Sequence, residues 1–259
     1  MKQAPSLQVT ALAGLPLFYA GMDVAAEICA AAELRDGDVV VVAQKIVSKA
    51  EGRLVRLGDV AVGAAARELA DTTGRNPALC QLILDESSVI MRANAHAIIT
   101  RHRSGHVLAN AGIDASNVQA ADIAEESDEA VLLWPLDADA SARKIRANIA
   151  AISGVNVGVI IADSMGRAWR IGTLGTAIGA AGVQILDDQR GKKDMFGRVL
   201  QATVIGAVDS LAAMAVLAMG EGAQATPVAV IRGASDWIIS EDGDGAVAGL
   251  RAQHEDMFR

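Results

Sequence analysis

Asp163 stands where the apolar run Val155 to Ala162 gives out, and Ser164 adds a hydroxyl directly after it. A strand end presents side chains to a pocket on a rigid scaffold, and a carboxylate beside a hydroxyl offers the hard oxygen donors that Mg²⁺ and Mn²⁺ prefer. The same pair also suits a plain turn cap. Asp114 is a second candidate, in the polar stretch Asn110-Ala111-Gly112-Ile113-Asp114-Ala115-Ser116-Asn117. Asp114 and Asn117 can face one ligand from a compact loop, or bind their own backbone as an Asx-turn. Lys45, Lys49, Arg53 and Arg56 form a basic group interrupted only by Glu51. In a chain of net charge −8 it reads as a polyphosphate cradle or as a solvated face. Gly220-Glu221-Gly222-Ala223 could bring backbone N–H groups to a phosphate, or simply end the helix before it.

Other chemistries lack their residues. Gly172, Gly175, Gly179 and Gly182 have no Gly-Lys-Ser/Thr ending and no dinucleotide fingerprint, so close helix packing is their expected role. His96, His102 and His106 have no cysteine or helical histidine partner that would complete a zinc site, and are expected on the surface or in a hairpin. There is no Gly-x-Ser-x-Gly elbow and no His-Glu-x-x-His helix.

The elements that must position these residues follow from pattern. Asp23 caps a helix to about Ala32, and Asp36-Gly37-Asp38 turns into the strand Val39 to Val42, which runs on into Gln44 to Gly52. A helix from Val60 to Asp71 precedes a hairpin region made of Ser88 to Met91, Ala97 to His102 and Val107 to Ala109, turning at Arg103-Ser104-Gly105. Val118 to Ala130 reads as an acidic surface loop. Asp139 is expected to cap a helix carrying Ala142, Ile145, Ile149 and Ile152, which Gly154 closes. A last long helix spans Val204 to Met219, and Pro227 to Ile231 is a late strand. The loose alternation, with a meander in the middle, predicts an α+β fold of mixed and antiparallel sheets with packed helices, a single domain over residues 1–259 built from two intimately connected subdomains.

Composition sets the bounds. Of 259 residues 52% are hydrophobic but only 3% aromatic, so the core must be assembled from many small aliphatic side chains. The longest apolar run, Leu211 to Met219, is far shorter than the ~20 residues of a membrane-spanning helix. No signal peptide pattern opens the chain, and Cys29 and Cys80 suggest neither a disulfide framework nor a metal site, so a cytoplasmic location is expected. The acidic balance of 31 against 23 basic residues argues against non-specific nucleic-acid binding.

Several of these segments, in order, resemble one family. They are Gly14-Leu15-Pro16-Leu17, Lys45 to Arg53, Asn110 to Val118, Asp137 to Ala142, Val157 to Arg167, Ala177 to Gly182, Asp194 to Arg198 and Met219 to Gly222. Together, from Gly14 to Gly233, they resemble coenzyme F420-0:L-glutamate ligase, the γ-glutamyl ligase of deazaflavin biosynthesis. The resemblance implies a GTP-dependent amide ligase that phosphorylates the terminal carboxylate of coenzyme F420-0, or of F420-1, and lets glutamate attack the acyl phosphate. It implies Mg²⁺ or Mn²⁺, with potassium as a further cation, and a homodimer that binds GTP, L-glutamate and coenzyme F420-0. The metal ligands implied are Asp114, Asp163, Ser164 and Glu221. The nucleotide would be lined by Leu15, Pro16, Leu17, Phe18, Gln44, Lys45, Lys49 and Asn117, and by the loop Met219, Gly220, Glu221, Gly222, Ala223, Gln224, Ala225 and Thr226. Asp163, Lys45, Lys49 and Arg167 would be the catalytic set, with Arg170 beside Arg167 for substrate anions.

The chain departs from the family pattern at Ser164, where threonine is usual, and at Gln44, where a small hydroxyl residue is usual. Met165 and Leu174-Gly175 also vary. The nitroreductase-like second domain that some relatives carry is not expected here. Two rival expectations follow: a folate γ-glutamyl ligase of the same family, and an inert nucleotide-binding protein that kept the fold. The presence of Asp114, Asp163 and Glu221 argues for catalysis over inertness.

Overall fold

The computed structural model describes residues 6–116, 118 and 129–256. In chain order the elements are β1 (Gln8–Ala11), α1 (Val24–Ala31), β2 (Val39–Ala43), α2 (Gln44–Ala50), β3 (Leu54–Arg56), α3 (Ala64–Thr73), α4 (Pro77–Glu86), β4 (Ser87–Ala93), β5 (Ile98–His102) and β6 (Val107–Ala109). There follow β7 (Ala130–Leu132), α5 (Ala138–Ser153), β8 (Gly158–Gly166), β9 (Thr173–Ala181), β10 (Leu186–Asp188), β11 (Val204–Gly206), α6 (Ala207–Met219) and β12 (Val228–Arg232).

A five-stranded sheet of order β1-β12-β2-β8-β9 organises the molecule. Only β2 and β8 run parallel; the other neighbours are antiparallel. Val39, Val40, Val41 and Val42 are fully buried, because side chains of a central strand alternate between two covered faces. Val40 and Val42 pack with Val159, Ile161 and Val230 beneath α1 and α5. Val39 and Val41 pack with Ile160, Ala229 and Ile231 beneath α6. Fully burying each such valine is worth about 1.5–3 kcal/mol. A second body of apolar residues gathers around α3 and α4, with Leu57, Leu82, Val131 and Leu133 on one side and Ala66, Cys80, Ile83 and Ile98 on the other. Small sheets β4-β5-β6 and β3-β7 complete that part. The α+β reading of mixed sheets and packed helices holds, and no helix among the described residues is long and apolar enough to cross a membrane.

Several elements differ from the sequence expectation. Asp137, not Asp139, caps α5, its carboxylate accepting from the Ala140 N–H at 2.8 Å. Both aspartates suit a cap by type, but Asp139 turns inward and accepts from the buried N–H groups of Ala180 and Ala246, at 2.8 and 2.6 Å. Residues Gln44 to Ala50 form a helix rather than a continuation of the strand. The helix expected from Val60 begins at Ala64, and α4 was not anticipated, although Asn76 caps it from the residue before Pro77. The strand through Ala162 continues to Gly166 and folds back as β9, with a register shift after Ile161. Val204 to Gly206, β-branched at the start, pair with β10 before α6 begins. The expected acidic loop from Val118 falls mostly outside the described residues, though Val118 itself is buried and Ala130 opens β7.

Of the four glycines expected to serve helix packing, Gly175 and Gly179 in β9 and Gly182 after it do so, whereas Gly172 meets open space. Gly175 lies against Val216 of α6, where a Cβ would come within 2.6 Å of the valine Cβ. Gly179 lies against the Ala138 carbonyl at the start of α5. Gly179→Ala should therefore force α5 off the sheet and lower stability by about 1–3 kcal/mol in urea unfolding. Gly58→Ala, which meets open space, should stay within about 0.5 kcal/mol. Equal unfolding midpoints for the two variants would refute this packing account.

Candidate active site

The register of the central sheet gathers four of the segments singled out by sequence. In the parallel pair Ala43 faces Ala162, so Lys45 and Asp163 leave adjacent strands at the same edge. The Ala43 N–H donates to the Pro227 carbonyl at 2.8 Å, which brings in the loop before β12. The Leu12 N–H donates to the Val228 carbonyl, also at 2.8 Å, which brings in the segment from Gly14 to Phe18. Open sheets of this kind bind ligands beyond the carboxyl ends of parallel strands.

At that edge the acids sit in two pairs. The Lys45 ammonium forms an ion pair with Asp114. Burial favours the neutral acid, yet Lys45 together with the Ser116 N–H, 2.6 Å from Asp114 Oδ1, holds the Asp114 carboxyl below its usual range. The Ser164 hydroxyl donates to Glu221. Asp163 lies between the pairs, its charge felt by both Lys45 and Asp114. Burial pushes its carboxyl up from 3.8 to about 6, against the opposing hydrogen bonds from Trp134 and Ser164. Lys49, a turn beyond Lys45, is lowered by burial and then by the like charge of Lys45. Among the described residues no three His, Cys, Asp or Glu side chains stand close enough to form a ready cation cage. By type, the carboxylates of Asp114, Asp163 and Glu221 and the Ser164 hydroxyl are nevertheless the donors that a hard divalent ion takes.

Behind the acids lies Trp134, which sequence reasoning missed. Its Nε1–H donates to Asp163 Oδ2 at 2.8 Å, while the Ser164 N–H donates to Oδ1 at 2.8 Å. The rings of His102 and His106 lie 4.9 and 5.5 Å from the indole. Both histidines lie in the β5-β6 hairpin, one of the two places expected, but buried rather than on the surface, their Nδ1 atoms joined through the Ser104 hydroxyl at 2.8 and 2.9 Å. Burial first, helped by nearby His102, pulls His106 down to about 4, so it is neutral at pH 7. His96 is exposed. The available signal was Gly112, a residue without a Cβ two places before Asp114.

A sequence profile of the F420-0:Gamma-glutamyl ligase family matches residues 14–233. The chain belongs to this family. It is 40% identical over 240 residues to the coenzyme F420:L-glutamate ligase of Methanopyrus kandleri, covering 92% of each chain. It is 39% identical to the enzyme of that name from Methanocaldococcus jannaschii, over 95% of this chain and 94% of the relative. The Archaeoglobus fulgidus enzyme of the same name is 39% identical, over 98% and 96%.

The remaining positions suggested by likeness to the F420 ligase family divide by exposure. Leu17 is open at the edge, whereas Phe18 is buried in the core and Leu15 packs against it. Gln44 is 1% exposed, its amide nitrogen donating to Ser48 Oγ at 2.7 Å. Its side chain therefore faces the interior. Arg53 also turns inward, to Glu86 at 3.1 Å and to the Trp134 carbonyl at 2.8 Å, and so leaves the basic group. Glu51 is drawn off to Ser141 of α5. Met219 is buried, but Gly220 to Ala225 are exposed; Gln224 Oε1 accepts the Gly222 N–H at 2.8 Å, and the Thr226 hydroxyl donates to the Met219 carbonyl at 2.6 Å. Arg167 and Arg170 are exposed on the β8-β9 hairpin, where Arg167 donates to the Gly172 carbonyl at 3.2 Å. Asn117 lies outside the described residues.

The opposed shifts of Asp163 and His106 have opposite linkage signs. Folded Asp163 holds its proton more tightly than the unfolded chain, so its ionisation costs stability as pH rises from 3.8 to about 6. Folded His106 resists protonation, so it costs stability as pH falls from 6.5 to about 4. In metal-free protein, Asp163→Asn should lose stability more steeply than wild type on acidification from pH 6 to 4. His106→Gln should lose it less steeply. Thermal melts across that range check both slopes, and parallel curves for all three proteins would contradict the assignment.

Proposed function

We propose that the chain joins L-glutamate to the terminal carboxylate of coenzyme F420-0, and then of F420-1, using GTP. The observation that carries this reading is membership of the F420-0:gamma-glutamyl ligase family over residues 14–233, with Lys45, Asp114, Asp163, Ser164 and Glu221 gathered at one sheet edge. In the proposed reaction the acceptor carboxylate takes the γ-phosphoryl group, and the glutamate amine attacks the activated carbonyl. An amide forms and phosphate leaves.

Phosphoryl transfer of this kind asks the protein mainly for alignment and charge neutralisation. Asp114, Asp163, Ser164 and Glu221 would hold Mg²⁺ or Mn²⁺, which when bound supplies Lewis-acid neutralisation of phosphate oxygens. Lys45 would then exchange Asp114 for a phosphate oxygen, and half-buried Lys49 would steady the same anion. Arg167 and Arg170 reach from the hairpin toward substrate anions. Exposed Trp169, Ile171, Met195, Phe196 and Leu217 give the protein apolar faces that suit a homodimer.

Purified protein incubated with GTP, Mn²⁺, L-glutamate and coenzyme F420-0 should yield products heavier by one and then two glutamyl residues on mass spectrometry. Turnover of tetrahydrofolate but not of the deazaflavin would overturn the acceptor. Asp163→Asn should remain folded and lower kcat on the order of 100-fold or more, as loss of a single preorganised electrostatic group does. Normal turnover by that variant would remove Asp163 from the reaction.

A further inference from the structure

We infer that Trp134 is a positioning residue whose indole sets the Asp163 carboxylate and the turn carrying Asp114 in register, so that the two acids present one divalent-cation site. This rests on the proposed metal role of those acids. Trp134 is 2% exposed, and its single polar group, the Nε1–H, is spent on Asp163 Oδ2 at 2.8 Å. With the Ser164 N–H on Oδ1, each carboxylate oxygen is fixed by one donor and keeps acceptor capacity for a cation. An indole N–H is a neutral donor with no acceptor and no accessible second protonation state. It orients the carboxylate while leaving its charge for the ion.

The pyrrole part of the same ring also meets the turn that leads to Asp114. Asn110, Ala111 and Gly112 take φ of 53°, 53° and 73°, three successive left-handed residues, a costly conformation for the first two. Gly112 lies against the indole, and a Cβ there would come within 2.4 Å of Nε1 and Cε2. Asp114 follows, pinned by its N–H to the Leu132 carbonyl at 3.1 Å, on the strand that leads into Trp134. One ring thus touches both acid-bearing segments. His102 and His106 pack against that ring, and the Arg53 guanidinium holds the Trp134 backbone carbonyl.

Outer groups that orient metal ligands typically cost 10–100-fold in metal affinity when removed. Mn²⁺ is titrated into the protein alone and into protein saturated with a non-hydrolysable GTP analogue, with free ion followed by electron paramagnetic resonance. Trp134→Phe should melt close to wild type yet weaken Mn²⁺ binding by about 10-fold or more, with kcat recovering at high Mn²⁺ and acceptor KM unchanged. Recovery by excess metal is a response that a merely loosened core would not give. If the phenylalanine variant fails to fold, replacing Trp134 by its benzothienyl analogue keeps the ring shape and deletes only the N–H, with the same expectation. Wild-type Mn²⁺ affinity in the folded variant overturns the positioning role, while loss of binding in Asp163→Asn keeps the metal reading standing. No Mn²⁺ uptake by wild type, or undiminished uptake by Asp163→Asn, overturns both.

Discussion

Everything at the candidate site depends on one pairing, the parallel ladder between β2 and β8. Parallel strands end side by side at their carboxyl termini, so the Ala43–Ala162 register decides that Lys45 and Asp163 emerge together. A slip of one residue would send Val39 to Val42 to the opposite faces and carry Asp163 away from Trp134. The slip is opposed by burial on both sides of the sheet, because α1 and α5 cover one face and α6 the other. Core packing and site geometry are therefore the same constraint. Small residues make it possible: Gly175 and Gly179 let two helices lie directly on β9.

Around that edge the protein balances part of the charge itself. Lys45 pairs with Asp114, Ser164 donates to Glu221, and Asp163 accepts from the neutral N–H groups of Trp134 and Ser164. Its elevated pKa records the electrostatic cost of keeping an acid buried without a cation. The imidazole of His106, held neutral two side chains away, adds no positive charge to offset it. Arg53, which could have done so, is turned to Glu86. The interior is thus arranged to leave the net negative charge at the edge of the sheet.

Much of this was legible in the sequence. The valine run, the Asp23 cap, the hairpin around Ser104 and the α+β class followed from period and turn chemistry. The acids and Lys45 could be singled out because polar residues at the ends of apolar runs stand out. What was hidden were choices between chemically equivalent residues. Asp137 and Asp139 are both good caps, and only the orphan N–H groups of Ala180 and Ala246 decide which one turns inward. Arg53 and Lys45 look alike in a basic run, and only Glu86, on a helix that had not been recognised, separates them. Trp134 was invisible for a related reason: an apolar residue after Val131, Leu132 and Leu133 reads as core, which it is, and its one polar atom finds Asp163 across 29 positions of sequence.

The glycine loop between Met219 and Thr226 is already occupied by the protein's own amide. Gln224 Oε1 sits on the Gly222 N–H, and the Thr226 hydroxyl ties the loop's end to its beginning. Any anion reaching that N–H must evict an intramolecular competitor, exchanging one hydrogen bond for another. A loop held by these two bonds would lose little chain entropy on meeting an anion, and any selectivity would come from charge, since a carboxamide oxygen is a weaker acceptor than a phosphate oxygen.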